Sequence, residues 1–211
     1  SDDLSNDAFP FGAAREIDVA HARGWVIRRS FLGELGYEMM FPTEFTEGVY
    51  EALLDAGTPH GLRHMGMFAM NACRIEKGFR HFGHDIAEDD TPYETGLGFA
   101  VKLDKDGDFL GKARLTQQKA DEGPAYKHRM VSIKVPGLTA EKGPYLIHNE
   151  PVWKDGSVVG HVTSGDWGFR LDAMVGLATI EKEGGAPKAW IDEGGFAVQI
   201  AGKMYPVQAQ L

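Results

Sequence analysis

Beyond about residue 120 the sequence offers no helical periodicity. Residues 128–135, 145–153, 157–163, 174–181 and 196–200 are short β-rich runs separated by Gly, Pro and Asp-Gly, and Asp155-Gly156 is the strongest hairpin signal present. Short strands punctuated this regularly by turn residues predict a small antiparallel β-barrel or sandwich. The first half has a different texture. Strand-like runs at 16–19 and 25–27 alternate with glycines, and a helix is expected from Pro42-Thr43, with Thr43 as N-cap. Phe45, Val49, Tyr50, Leu53 and Leu54 make its apolar stripe and Gly57 ends it. A second helix is expected over about 63–77, because Met65, Phe68, Ala69, Ala72 and Ile75 recur at helical steps before Gly78. Residues 80–92, with Asp85, Glu88, Asp89 and Asp90, read as an exposed acidic loop. A strand over 96–101, a turn at Asp106-Gly107 and a helix over 112–120 stopped by Gly123-Pro124 follow. The expected class is therefore α+β: a mixed domain over 1–111, then an antiparallel barrel over 112–211.

Charge and cysteine content narrow the function classes. Of 211 residues, 22 are Lys or Arg and 31 are Asp or Glu, a net charge of −9 that argues against a nucleic-acid binder. With 43% hydrophobic residues the chain can bury a substantial core. Cys73 is the single cysteine, so an internal disulfide and a cysteine zinc cage are excluded and a reducing, cytoplasmic setting is expected. No apolar run approaches the roughly 18 residues of a membrane span, and the first ten residues are acidic and polar, unlike a secretory leader.

Common catalytic signatures are missing. Gly96-Leu97-Gly98 begins like a dinucleotide fingerprint, but Val101 stands where the third glycine belongs. There is no phosphate-binding loop and no Gly-x-Ser-x-Gly elbow. His60, His64, His81 and His84, with Asp85, are residue types that ligate metals, but no regular element fixes their convergence and no metal is expected. Cys73 reads as a small buried side chain.

The informative segment is Phe31-Leu32-Gly33-Glu34-Leu35-Gly36-Tyr37-Glu38, where two carboxylates and two glycines interrupt an apolar run. Regular strand alternation puts Phe31, Leu35, Tyr37, Met39 and Phe41 on one face and Leu32, Glu34, Glu38 and Met40 on the other. Both acids then line one surface. The glycines permit a bulge or close backbone approach that turns Phe31 toward it. From the residues alone, an edge strand with solvated acids and a binding site are equally good readings.

Gly33-Glu34-Leu35-Gly36-Tyr37-Glu38, Asn71-Ala72-Cys73-Arg74-Ile75-Glu76-Lys77-Gly78, Phe82-Gly83-His84-Asp85-Ile86 with Thr91-Pro92, and Val162-Thr163-Ser164-Gly165 together resemble the glycine-cleavage T-protein (aminomethyltransferase) family. The wording Glu-Leu-Gly-Tyr-Glu and Arg-Ile-Glu-Lys is most similar to the folate-binding module of dimethylglycine and sarcosine dehydrogenases. The resemblance implies transfer of a one-carbon unit from a demethylated amine to tetrahydrofolate. Glu38 falls on the family's pterin-binding glutamate, and a carboxylate suits the adjacent amino and ring N–H donors of a pterin. Phe31 stands where the family often has tyrosine, so its ring can still pack on the ligand. Glu34, Tyr37 and Arg74 match the motifs too; for Arg74 the competing reading is an ion pair with Glu76 or a nearby loop carboxylate.

Three departures qualify the resemblance. Met70 replaces an arginine four residues before Arg74, residues 205–211 lack the family's C-terminal tyrosine, and the stretch carrying the family's catalytic aspartate has no counterpart here. A partial module is therefore expected, with no catalytic residue assigned. Any FAD is expected only in a separate flavin oxidoreductase domain or subunit, and an exposed sheet edge is expected to favour a homo-oligomer. The competing expectations are a non-catalytic folate-binding or subunit-interaction module, and a tetrahydrofolate-dependent demethylase of another methyl donor, such as a sulfonium compound.

Overall fold

The computed structural model describes residues 2–121 and 126–211. The chain divides into two compact units, Ser1–Met70 and Asn71–Leu211. This division lies earlier in the chain than the domain boundary expected at 111/112.

In the first unit, strands β1 (Ala14–Val19), β2 (Ala22–Arg28) and β3 (Tyr37–Met40) form an antiparallel sheet in that order. Alternation sets its faces: Ala22 and Val26 are buried while Arg23 and Trp25 are exposed. Phe9, Ile17 and Val26 make the small core, with Ala13, Val19 and Tyr37 packed against it. Helix α1 (Thr43–Gly57) follows. Pro42, not Thr43, occupies its N-cap, because Thr43 already has helical geometry and no side chain caps the helix. Of the expected apolar stripe only Val49 is buried.

The second unit is built on a curled seven-stranded antiparallel sheet, ordered β10-β4-β7-β6-β5-β8-β9. Its strands are β4 (His128–Val135), β5 (Pro151–Lys154), β6 (Ser157–Gly168), β7 (Ala173–Glu181), β8 (Phe196–Ile200), β9 (Lys203–Pro206) and β10 (Gln208–Gln210). Asp155-Gly156 joins β5 to β6 with φ of 51° and 77°, the paired left-handed conformation a two-residue hairpin requires. Val135, Leu146, Val152, Val162, Met174, Ile180 and Val198 lie in one continuous core.

Helix α2 (Met67–Glu76) starts later than expected and crosses from one unit to the other; α3 (Lys112–Ala120) keeps its expected span, and α4 (Lys188–Asp192) is a short turn not foreseen. The stop at Gly123-Pro124 lies outside the described residues. Residues 96–101 are not a strand. Leu97 N–H bonds back to Pro92 and Ala100 N–H to Leu97, so the backbone is satisfied locally and Gly98–Ala100 forms a 3₁₀ turn.

Candidate functional site

The segment 29–38 is not one continuous strand. Ser30 Oγ accepts the backbone N–H groups of Leu32 (3.0 Å) and Glu34 (3.1 Å), removing both from any ladder. Gly33 adopts φ 70°, and a Cβ on Gly36 would lie 2.9 Å from the carbonyl oxygen of Arg29, so the loop closes only because both positions are glycine. Regular pleating resumes at Tyr37. The expectation that Glu34 and Glu38 share a strand face therefore does not hold: Glu34 sits in the loop and Glu38 in β3, opposite Ile27 of β2.

This fold brings Phe31, Tyr37 and Glu38 together with Arg29 and Ser30 around an open depression of about 420 Å³. Tyr37 is already well held. Its ring stacks on Phe9 with centroids 5.9 Å apart, and its hydroxyl donates to the carbonyl of Leu4 at 2.7 Å. It is a fixed wall. Phe31 is half-buried beside it. Glu38 accepts a charge-assisted bond from Arg29 Nε on Oε2, with the two side chains 49% and 54% exposed. The bond from Arg29 lowers the Glu38 carboxyl from its ordinary value, and the bond to Glu38 raises Arg29 correspondingly. At neutral pH the depression thus presents a full carboxylate.

Arg29 was not foreseen, although a count of two from Ile27 reveals it, one residue past the end of β2. Ile27 pairs with Glu38, so Arg29 is the next residue on that face, within diagonal reach of the acid.

Arg74 belongs to the other unit and is 1% exposed. Its guanidinium donates to Asn71 Oδ1 (3.2 Å), the carbonyl of Phe79 (3.2 Å), Ser164 Oγ (2.7 Å) and the carboxylate of Asp85. Of the two competing readings, the ion pair with a loop carboxylate describes this geometry. Asp85 itself is buried, not part of an exposed acidic loop, because the Thr163 (2.7 Å) and Ser164 (2.5 Å) hydroxyls and the His81 N–H (2.8 Å) surround it. Burial alone would raise its carboxyl; the bonds from Ser164, His81 and Thr163 and the charge of Arg74 outweigh that and hold it low.

The histidines assort differently from the cluster weighed in the sequence. His64 pairs with Tyr50 in the first unit, whereas His84 stacks on His148 at 4.8 Å and lies 5.9 Å from His81 in the second. Among the described residues no group of three metal-ligating side chains is arranged to hold an ion. Nor, among them, is any helix long and apolar enough to cross a membrane. Cys73 is half-buried and unpaired with any other cysteine.

Comparison with known proteins gives these motifs a context. Residues 1–105 match the GCVT N-terminal domain, and residues 134–211 match the glycine cleavage T-protein C-terminal barrel domain. The chain belongs to the glycine-cleavage T-protein family. It is 37% identical over 207 residues to the 4-methylaminobutanoate oxidase (formaldehyde-forming) of Paenarthrobacter nicotinovorans, covering 98% of this chain and 24% of that one. Human mitochondrial sarcosine dehydrogenase is 36% identical over 211 residues, covering 99% and 22%. The fold matches aminomethyltransferase T of Bartonella henselae with a TM-score of 0.72 at 23% identity, over 87% of this chain and 47% of that one. The chain thus spans about a quarter of the oxidoreductase relatives and about half of the T-protein structure.

Proposed function

We propose that this T-protein-family chain forms the pterin-binding part of a module that passes a one-carbon unit from a demethylated amine, of the sarcosine or dimethylglycine type, to tetrahydrofolate. One observation carries the reading: Glu38 lines an open depression together with Phe31 and Tyr37. A pterin is flat and presents its 2-amino group and N3–H side by side, so a carboxylate can accept both while an aromatic ring covers one face. Glu34 contributes through its place in the loop that positions Phe31, and Arg74 through the buried ion pair that orders residues 79–85. A flavin oxidoreductase domain or subunit would generate the one-carbon unit, and the kinship with sarcosine dehydrogenase supports that pairing.

The test is calorimetric titration of the full chain with tetrahydrofolate. Glu38→Gln should weaken binding by roughly tenfold, because one acceptor for paired donors is replaced by a group that also donates. Wild-type affinity matched by the variant would remove Glu38 from the site.

A second reading, a non-catalytic folate-binding or subunit-interaction module, draws support from the relative whose name records formaldehyde as product. The two separate on the full-length protein supplied with sarcosine or dimethylglycine. Methylenetetrahydrofolate formed faster than free formaldehyde condenses spontaneously with tetrahydrofolate under the same conditions supports transfer within the module, and formation at no more than that spontaneous rate supports the second reading.

A further inference from the structure

The contact between Arg29 and Glu38 has a chemical peculiarity. The edge of a pterin that a carboxylate recognises is a cyclic guanidine: a ring nitrogen and an exocyclic amino group on one carbon, both carrying hydrogens. Arg29 offers Glu38 the same functional group from within the chain. Its guanidinium donates through Nε to Glu38 Oε2, and both residues line the same depression. We propose that Arg29 is a built-in competitor for the Glu38 carboxylate, occupying the acceptor that the ligand's amino-pyrimidinone edge must take, so that it sets the affinity of the site and must swing aside on binding.

The inference rests on the reading of Glu38 as the pterin acceptor, and it adds a cost that this reading alone does not contain. Both side chains are about half exposed, so the pair is easily opened and resembles surface ion pairs of small net worth. Arg29 is therefore a tunable weight and not a lock. It also imposes selection. Only a group that engages both carboxylate oxygens outbids a guanidinium that uses one, so a lone amine or amide is disfavoured relative to a fused amino-pyrimidinone. The position of Arg29 suits the role, since it follows the last residue of β2 and is free of the ladder that fixes Arg28.

A contrary role is equally concrete. Arg29 could serve the ligand by pairing with the glutamate carboxylates of a folate tail. Two probes separate the roles: tetrahydrofolate, and a tetrahydropterin bearing only a methyl group in place of the tail. Arg29→Met, Glu38→Gln and the double variant would be titrated with each, in the full chain and under anaerobic conditions. Competition predicts that Arg29→Met binds both probes tighter by roughly two- to fivefold, the range expected for releasing an exposed ion pair. It also predicts that this gain vanishes in the Glu38→Gln background, because the two effects act through one carboxylate. If Arg29→Met weakens tetrahydrofolate and leaves the tail-free probe unchanged, Arg29 is a tail contact and the proposal fails while the site stands. A gain that persists with Glu38→Gln also overturns it. Absence of binding by every variant to either probe removes the folate reading itself, and this inference with it.

Discussion

Arg74 shows how far a single buried residue can determine local structure. Its guanidinium and the Asp85 carboxylate are both out of water, and five groups besides the pair itself complete their hydrogen bonds, from Asn71, Phe79, His81, Thr163 and Ser164. Removing one partner of such a pair leaves an uncompensated charge in a region of low polarizability. Arg74→Met should therefore destabilise the chain by about 3–5 kcal/mol, measured as a shift in the urea midpoint. The pH dependence follows from the direction of the shift. Asp85 is held below its unfolded value, so its contribution is fully present above the ordinary carboxylate range and is lost as pH falls through that range to the depressed folded value. Without Arg74 the folded value rises toward the unfolded one, so less stability is lost on acidification and the acid limb of the stability curve should be shallower than in wild type. An unchanged acid limb in Arg74→Met would mean that the hydroxyls alone stabilise the carboxylate.

Strand β6 makes that network possible through an irregularity. Its register against β7 shifts between Val162 and Ser164, and the bulge lets two consecutive side chains, Thr163 and Ser164, both bond Asp85 Oδ1. In a regular strand they would point to opposite faces. The same irregularity explains the limits of sequence reading here. The turn residue types and alternation of the second half marked β4, β7, β8 and the Asp155-Gly156 hairpin, because those signals are local. A bulge leaves no local pattern, so the burial of Asp85 was invisible and its loop read as solvated. The candidate site divides in the same way: Glu38 and Phe31 were singled out only by their resemblance to the family's strand motif, whereas the loop depends on Ser30 capturing two N–H groups and on the close approach of Gly36 to Arg29. Beside this network, partial desolvation lowers the largely exposed His84 imidazole; Asp85 opposes the shift, and His148, Arg74 and His81 add to it. A folded value below the unfolded one favours the neutral ring, so the associated stability is present above about pH 6.5 and is lost as pH falls through the lowered value. His84→Gln should flatten the decline in melting temperature between neutral pH and pH 5. A variant as acid-sensitive as wild type would assign that decline to other groups.

Across the whole molecule the unequal distribution of apolar burial has a consequence in solution. The second unit encloses a continuous core, whereas in the first the buried apolar side chains are Phe9, Ile17, Ala22, Val26 and Val49 among the described residues. Strand β3 is an edge of its sheet, and the cross-strand neighbours Trp25 and Met40 are 51% and 49% exposed. An edge strand with exposed apolar side chains is a template for a second copy, and β3 carries no lysine or proline to discourage pairing. We expect concentration-dependent dimerisation through this edge, seen as a rising sedimentation coefficient. The net charge of −9 opposes approach of two copies at long range, so added salt should strengthen association by screening it. Met40→Lys places a charge on the exposed face without touching the buried core and should return the chain to monomer at concentrations where wild type associates. Association weakened by salt would assign the contact to ion pairs, and association untouched by Met40→Lys would move it away from β3.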